Sequence, residues 1–242
     1  MTAPTVPLAI ASTLLGKRML QALARRFSAT LVDGHRLPRS GGALLVGNHS
    51  LLGLDSFPLA ALVTLETGRV VRFLGDRNLF RLPGLAHVLR GVGAVSGEPA
   101  RAVELLRAGE LACVYPGGVD DSFKLSSEAY RLQWGARAGF VKVAMRAGVP
   151  IVPIAATGID ELFVVHAREH RIGRALLGSS RYDVPIPETL VPASVPLAYH
   201  VLPAIDARGD AESPAEVAAV RDRVLEAMES VLAPYREKRA RA

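Results

Sequence analysis

Short apolar segments that alternate with helix-like segments are the feature of this sequence that most constrains its fold. Most of these segments lack a strict apolar–polar alternation, as expected of strands buried on both faces. The predicted strands are Ala43–Gly47, Val70–Leu74, Leu111–Tyr115, Ile151–Ala155 and Leu197–Leu202. The predicted helices between them lie near Phe57–Glu66, Ala100–Ala108, Tyr130–Ala147 and Asp160–Arg171. Such alternation predicts an α/β fold with a mixed, mainly parallel central sheet covered by helices.

The N-terminal region predicts a separate amphipathic helix. The apolar segment Leu8–Phe27 is interrupted by basic residues and is too short in uninterrupted apolar length to span a bilayer. Its apolar side chains fall on one side and its basic side chains on the other, which is typical of a helix at a membrane interface. Packing of this helix on the core is the alternative. We assign residues 1–28 to the helix and residues 29–242 to a single domain.

The C-terminal region predicts a long helix with a clear start. Ser213 and Glu216 have the spacing of a capping box, and Pro214 occupies the first helical position. The charged stretch Arg236–Ala242 is predicted to be a frayed tail.

The composition limits which partners the protein is expected to bind and in which compartment it is expected to lie. The chain is half hydrophobic, has a mean hydropathy of +0.25 and carries a net charge of +6. Aromatic residues are 5% of the chain and no nucleic-acid-binding motif is present, so anionic lipid or an acidic substrate is favoured over nucleic acid. The one cysteine, Cys113, lies in an apolar strand pattern, which predicts a buried, inert thiol and fits a reducing compartment. No cleavable secretory pattern is present. We therefore predict a peripheral protein at the cytoplasmic face of a membrane.

The segment Val46–Asp55 carries the chemistry that is most informative about function. His49 lies at the carboxyl end of a predicted strand, where open α/β sheets present their ligand sites. Gly53 permits a turn, and a helix with Pro58 in its first turn starts at Asp55 or the next residue. A neutral imidazole oriented by a carboxylate accepts a proton from a hydroxyl group. Taken alone, a histidine at this spacing from an aspartate is more often a hydrogen-bonded structural residue.

Three blocks of sequence occur in an order that resembles a known enzyme family. They are Asn48–His49 followed by Asp55, then Tyr115–Gly118 (Tyr-Pro-Gly-Gly), then Trp134–Phe140 with Gly148–Pro153. These blocks resemble the motifs of the glycerolipid acyltransferase superfamily, which includes the 1-acylglycerol-3-phosphate acyltransferases. The resemblance covers roughly residues 30–165 and implies a glycerolipid acyltransferase-like fold.

The resemblance implies transfer of a fatty acyl group to a lipid or alcohol hydroxyl. His49 is the expected general base and Asp55 the group that orients it. Acyl-CoA or an acyl carrier protein is the expected co-substrate, with no cofactor and no metal. The expected substrate-binding residues are Asn48, Tyr115, Pro116, Gly117, Gly118, Arg137, Val152 and Pro153. A thioesterase or esterase that uses the same two residues, and a non-catalytic lipid-binding protein of the same fold, remain open; the sequence does not predict an oligomeric state.

Two departures from the family pattern bear on the acceptor. Five residues separate His49 from Asp55, and Pro-Gly-Gly replaces Pro-Glu-Gly, which is similar to the branch of phytyl ester synthases and diacylglycerol acyltransferases. An arginine usually follows the glycines, whereas Val119–Asp121 brings two carboxylates that would repel an acceptor phosphate. A neutral hydroxyl acceptor is therefore favoured, and both carboxylates are predicted to be solvated turn residues. The side chains that remain candidates for a phosphate site are Lys124, Arg131 and Arg137.

Overall fold

The computed structural model describes residues 13–75, 94–169 and 183–241. The strands in these residues are β1 (Ala29–Val32), β2 (Ala43–Gly47), β3 (Val71–Gly75), β4 (Val95–Ser96), β5 (Leu111–Val114), β6 (Ile151–Thr157), β7 (Val165–Glu169), β8 (Val184–Pro187) and β9 (Leu197–Val201). The helices are α1 (Leu14–Arg26), α2 (Ser56–Thr67), α3 (Pro99–Arg107), α4 (Gly118–Ser122), α5 (Gly139–Ala147) and α6 (Pro214–Ala240).

The central sheet has the strand order β1-β9-β6-β2-β5-β3-β4. Its strands pair in parallel except at the β6–β9 junction, which is antiparallel. Strands β7 and β8 form a separate antiparallel pair. The predicted mixed, mainly parallel α/β sheet is confirmed.

Both faces of the sheet are buried, as the uninterrupted apolar strands predict. Every residue of β2 is buried; Leu44 and Val46 enter one apolar cluster, and Ala43 and Leu45 enter the other. The first cluster includes side chains of α3, α5 and α6, whereas the second includes those of α2. Strand β2 therefore lies in the middle of a helix–sheet–helix sandwich, which makes its carboxyl end a rigid support.

The predicted strands agree with the structure to within one or two residues, but one predicted helix is too long. Helix α5 occupies only the second half of the predicted segment Tyr130–Ala147. Tyr130 and Gly135 both have positive φ angles, of 62° and 53°, which a right-handed helix does not accept. The Tyr130 N–H donates instead to the carboxylate of Asp160, 2.7 Å away.

The helix predicted at Asp160–Arg171 is wrong. A single 3₁₀ turn, Ile159–Glu161, leads into strand β7, which pairs with β8. Pairing with a strand about twenty residues further along the chain outweighs the local helical pattern. Residues 170 and 171 lie outside the described residues.

The start of α6 is confirmed, although only half of its capping box forms. The Ser213 hydroxyl accepts from the Glu216 N–H, while the Glu216 carboxylate accepts from the Asp210 N–H. The prediction of a frayed tail from Arg236 onward is wrong. Helix α6 continues to Ala240, and the Arg236 guanidinium donates to the Tyr130 carbonyl oxygen at 2.9 Å.

The N-terminal helix, α1, packs on α2 while it leaves apolar side chains exposed. Gly16 and Ala24 are buried, whereas Leu14, Leu15 and Met19 are 60–71% exposed. The alternative of packing on the rest of the fold is therefore confirmed, and a role at a membrane interface stays a prediction. None of the described helices has the length and apolar character required to cross a membrane.

The loops that carry the sequence motifs lie at one edge of the sheet. Strands β2, β5 and β6 are parallel, so their carboxyl ends at Gly47, Val114 and Thr157 lie at the same edge of the sheet, with β6 extending three residues further than β2. We call this edge the carboxyl edge. The segment that begins with His49 and the Pro-Gly-Gly turn both leave the sheet there, so the parallel pairing brings together motifs that lie far apart in the sequence.

Candidate active site

His49 and Asp55 form a hydrogen-bonded pair at the carboxyl edge. The His49 Nδ1 atom lies 3.1 Å from Asp55 Oδ1 and 3.2 Å from Oδ2. Since a carboxylate only accepts, the neutral imidazole carries its proton on Nδ1 and leaves Nε2 as the basic nitrogen. The Asp55 side chain is 1% exposed and that of His49 is 20% exposed. Within the described residues no group hydrogen-bonds to Nε2, which therefore is available to a substrate.

Asp55 is held by more than the histidine. Ser50 donates to Asp55 Oδ1 from its main-chain N–H at 3.0 Å and from its hydroxyl at 2.6 Å. Burial by itself raises the pKa of Asp55, but the charge of His49 and the hydrogen bonds from His49 and Ser50 outweigh burial and lower that pKa below its usual value. Asp55 stands at the N-cap of α2 without capping it, because its carboxylate is turned toward these two residues.

The loop between the two residues contains two left-handed positions. Gly53, where a turn was predicted, has a φ of 68°, and its Cα faces the His49 ring: a side chain there would lie 3.3 Å from Cε1. Leu52 has a φ of 61° and is 62% exposed. Positive φ is unusual for a leucine, so the loop holds this apolar side chain outward at an energetic cost.

Tyr115 fixes the plane of the imidazole. The two rings stack with centroids 3.9 Å apart and an angle of 12° between their planes. The Tyr115 hydroxyl is 3.0 Å from the Ser56 hydroxyl, and the ring of Phe73 lies nearly parallel to that of Tyr115 with centroids 6.3 Å apart. Of the predicted substrate-binding residues, Tyr115 is thus in direct contact with His49.

Asn48 anchors the end of β2 rather than facing the site as a free polar group. Its side-chain amide donates to the Ala156 carbonyl oxygen at 2.9 Å and accepts from the Ala156 N–H at 2.8 Å. Because these two bonds reproduce a strand pairing with β6, the main chain just before His49 cannot shift along the sheet.

The Pro-Gly-Gly turn has a different structural reason for each glycine. A Cβ atom on Gly117 would overlap the side chain of Asp121, whose Cγ lies 2.9 Å from that position. Gly118 has a φ of 54°, and its N–H donates to the Tyr115 carbonyl oxygen at 2.9 Å. Pro116 precedes them in the turn after β5. A contact of these glycines with substrate stays a prediction.

Arg137 braces this turn. Its guanidinium donates to the Gly117 carbonyl oxygen at 3.0 Å and to the Gln133 carbonyl oxygen at 3.1 Å, and it pairs with Asp120. Arg137 was predicted to bind substrate, but its guanidinium is already paired with Asp120.

The two carboxylates after the glycines have opposite environments. The Asp120 side chain is 54% exposed, as predicted for a turn residue, whereas that of Asp121 is fully buried. The prediction of a solvated Asp121 is therefore wrong. Its Oδ2 accepts from the main-chain N–H of His49 at 3.0 Å, and its Oδ1 lies 3.4 Å from the ammonium of buried Lys124.

The remaining sequence candidates lie inside the core. Val152 and Pro153 of β6 pair with Leu45 and Val46 of β2 and are buried, so their predicted role in a pocket wall is untested. Cys113 is buried, and burial together with the charge of Asp55 raises the pKa of its thiol.

Sequence reasoning missed the residues that support the pair. The hydroxyl of Tyr199 on β9 donates to the Asp55 carbonyl oxygen at 2.7 Å, and Ser50 and Asp121 bond to the loop itself. No local pattern marks Tyr199, because its strand joins the sheet next to β6 only through long-range pairing. The two aspartates after Gly118 were visible, but the sequence does not tell which one faces the core.

Comparison with known proteins agrees with this geometry. Residues 29–157, which contain the His49–Asp55 pair and the Pro-Gly-Gly turn, match the family model described as Acyltransferase. The chain belongs to this family. The resemblance expected from the three sequence blocks is confirmed, over nearly the range predicted for it.

Similar proteins occur in animals and in mycobacteria. The chain is 35% identical over 153 residues to a human protein described as a DGAT1/2-independent enzyme synthesizing storage lipids, with 58% of this chain and 47% of the human protein covered. It is 36% identical over 130 residues to an uncharacterized protein of Mycobacterium tuberculosis, with 52% of this chain and 36% of that protein covered. The matches thus span about half or less of the length of these relatives.

A solved structure shows the same fold. The crystal structure of the 1-acyl-sn-glycerophosphate acyltransferase PlsC from Thermotoga maritima aligns with 89% of this chain and 82% of its own chain, with a TM-score of 0.52 and 17% sequence identity. At that identity the likeness establishes the fold of the acyltransferase family for this chain.

The close approach of Gly117 to Asp121 predicts the effect of adding one methyl group. In Gly117→Ala the new Cβ displaces Asp121 or the turn, and we expect the free energy of unfolding to fall by about 1–3 kcal/mol. Gly139→Ala is the matched control, because a Cβ there meets no atom within 4 Å at the start of α5. Chemical denaturation of both variants measures the difference. Equal stabilities would show that the turn does not require a glycine at position 117.

Proposed function

We propose that the protein is an O-acyltransferase that moves a fatty acyl group from a thioester donor, acyl-CoA or acyl carrier protein, to a lipid or alcohol hydroxyl. The observation that carries this proposal is the His49–Asp55 pair, with Nδ1 bound to a buried carboxylate and Nε2 left free at the carboxyl edge. Membership in the acyltransferase family supports the reaction class.

The geometry fits general base catalysis without an acyl-enzyme. The acceptor hydroxyl gives its proton to His49 Nε2 as its oxygen attacks the thioester carbonyl carbon. Asp55 stabilises the imidazolium that results and holds the ring in the correct tautomer. When the tetrahedral intermediate collapses, the carbon–sulfur bond breaks and the departing thiolate takes the proton from Nε2. The histidine returns to its starting state.

We propose that a main-chain N–H group in the Pro-Gly-Gly turn helps to hold the thioester carbonyl or the acceptor. Only Gly117 fits this role, since the N–H of Gly118 already donates to the Tyr115 carbonyl oxygen. Stabilisation of the developing oxyanion by one such donor is commonly a large term in acyl transfer.

The charges around the turn support a neutral acceptor. Asp120 stands where an arginine usually follows the glycines, Arg137 is paired with Asp120, and Lys124 is enclosed between two aspartates. Of the cations considered for a phosphate site, Arg131 is left, and its side chain is solvent-exposed. The name of the human relative, which refers to storage lipids, points the same way.

Exposed apolar side chains support work at a membrane surface. Loops at the carboxyl edge expose Leu52 beside the His49–Asp55 pair, Val164 after β6, and Leu190 with Val191 before β9. Helix α1, 14–26, adds exposed leucines and four basic residues without an acidic one. Such a surface suits peripheral contact with an anionic leaflet, from which a lipid acceptor reaches His49. The cytoplasmic face is the side we propose from the sequence.

The first prediction concerns the base. His49→Ala is expected to abolish transfer, and Asp55→Asn to lower kcat by about 10²–10⁴, because an amide in place of the carboxylate sets the wrong tautomer. The assay follows labelled acyl-CoA into lipid ester with a panel of alcohols and glycerolipids. Thermal unfolding of each variant serves as the control for folding. Full activity of the His49→Ala protein would refute the assignment.

The same assay separates transfer from hydrolysis. A thioesterase that uses the same pair releases free fatty acid whether or not an acceptor is present, whereas a transferase consumes acyl-CoA at a rate that depends on the acceptor. Binding of acyl-CoA without consumption by the wild type would instead indicate a lipid-binding protein.

A second prediction concerns acceptor charge. The wild type is expected to prefer monoacylglycerol or a long-chain alcohol over lysophosphatidate. Asp120→Asn removes a negative charge and breaks the ion pair of Arg137 Nη2, so the rate with lysophosphatidate relative to monoacylglycerol should rise several-fold. Asp206→Asn, which alters another exposed aspartate paired with an arginine, is the control and should leave the ratio unchanged. A preference of the wild type for lysophosphatidate would overturn the neutral acceptor.

A third prediction concerns Leu52. Replacement by Asn, which tolerates the left-handed conformation better, should leave stability equal or higher. Loss of the apolar side chain should raise the apparent KM for an acceptor embedded in vesicles by several-fold. With a short-chain acceptor dispersed in water the same variant should match the wild type, which makes that assay its control. An equal loss with both acceptors would show that Leu52 supports the fold of the loop and does not contact the membrane.

A further inference from the structure

A buried group of three charges lies behind the catalytic loop, and the reaction scheme above leaves it without a role. Asp121, Lys124 and Asp160 have side chains that are at most 5% exposed. The Lys124 ammonium lies 3.4 Å from Asp121 Oδ1 and 3.1 Å from Asp160 Oδ2. Buried ion groups cost desolvation energy and often add little net stability, so their presence calls for another explanation.

The hydrogen bonds of Asp121 point to that explanation. Its Oδ2 accepts from the His49 main-chain N–H at 3.0 Å, while its Oδ1 accepts from the Gln133 N–H at 3.3 Å in addition to Lys124. Both carboxylate oxygens are therefore occupied by donors, and one of these donors belongs to the residue that carries the base.

Asp160, at the other end of this group of charges, is also held in place. Asp160 accepts from the Tyr130 N–H at 2.7 Å and belongs to the 3₁₀ turn that follows β6. Burial alone lowers the pKa of Lys124, but the charges of Asp121 and Asp160 outweigh burial and raise that pKa above its usual value. Lys124 thus stays protonated and joins the two aspartates, which links α4 to the loop after β6.

Three consecutive residues at the end of β2 are each anchored from a different direction. The Asn48 side chain bonds to Ala156 of β6, the His49 N–H bonds to Asp121 of α4, and Ser50 bonds to Asp55 at the start of α2. Tyr115 and Asp55 also contact the imidazole, but these contacts fix only the rotation of the ring about its side-chain bonds. The main chain from which the ring projects is set by the other anchors.

We propose that Asp121, held by Lys124 and Asp160, is a positioning residue that fixes the main chain of His49 so that Nε2 meets the acceptor hydroxyl. This inference rests on the proposed function. Asp121 touches neither substrate nor reacting atoms, and it acts through the His49 N–H. A displacement of about 1 Å at a catalytic group costs on the order of 10²-fold in rate, which sets the size of the effect.

Asp121→Asn tests the proposal with little change in volume. An amide has one acceptor oxygen and one donor group, so either the His49 N–H or the donors from Gln133 and Lys124 would face another donor. We expect kcat to fall 10- to 100-fold, with KM for acyl-CoA and for the acceptor within about twofold of the wild type. Asp222→Asn, which alters an exposed aspartate on α6, is the control and should retain the wild-type kcat.

Hydrogen exchange of the wild-type protein tests the contact without any variant. The His49 amide is expected to exchange at least 10²-fold more slowly than the amide of exposed Leu52 in the same loop. This measurement stands even where Asp121→Asn does not fold. Exchange at His49 as fast as at Leu52 would overturn the proposal.

The outcomes separate this inference from the proposed function. Wild-type transfer that is lost in His49→Ala but fully kept in Asp121→Asn supports the function and overturns the positioning role. A loss in Asp121→Asn that appears in KM and not in kcat also overturns it. If the wild type transfers no acyl group while the His49 amide is protected, the proposed function is wrong, whereas the hydrogen bond from the His49 N–H to Asp121 is still supported.

Discussion

The buried carboxylate of Asp55 is the group on which the rest of the site depends. It is 1% exposed and accepts hydrogen bonds from His49 Nδ1 and, twice, from Ser50. A charge in that position is tolerated only because these donors compensate for lost hydration, and the pKa of Asp55 is lowered in consequence. The same bonds orient the imidazole and leave Nε2 without a hydrogen-bond partner among the described residues. One interaction thus satisfies a buried charge and orients the proposed base.

A rigid strand end makes this interaction possible. Strand β2 is buried on both faces between two apolar clusters, and its last residues are bonded sideways to β6 and α4. The loop that follows is short and contains two left-handed residues, so it has little freedom to move Asp55 away from His49. Tyr115 from the neighbouring strand end closes one face of the ring. Packing, hydrogen bonding and ring stacking therefore all hold the His49 imidazole in one position.

Charge and apolar surface around the site support the proposed neutral acceptor. Two of the three basic side chains considered for an acceptor phosphate are paired with carboxylates, Arg137 with Asp120 and Lys124 with Asp121 and Asp160, and the third, Arg131, is solvent-exposed. Exposed apolar side chains, by contrast, stand on the loops at the carboxyl edge. A neutral lipid hydroxyl that approaches from a membrane surface fits both features. Helix α1 carries the complementary basic charge for such a surface.

The sequence by itself determined five of the seven strands of the central sheet, the class of sheet, the family and the His49–Asp55 pair, because buried strands and a short motif loop are encoded by local apolar runs and spacing. It did not predict β1, β4, β7 or β8, the irregular stretch before α5 or the length of α6. Strand pairing at β7 and the contact with Asp160 before α5 outweigh local helix preference, whereas at the end of α6 the hydrogen bond from Arg236 to Tyr130 holds a helix that continues through the charged stretch. Only the tertiary structure decided that Asp121 is buried while Asp120 is exposed. Two adjacent aspartates look alike in sequence, and which one meets the His49 N–H depends on how α4 packs against the end of β2.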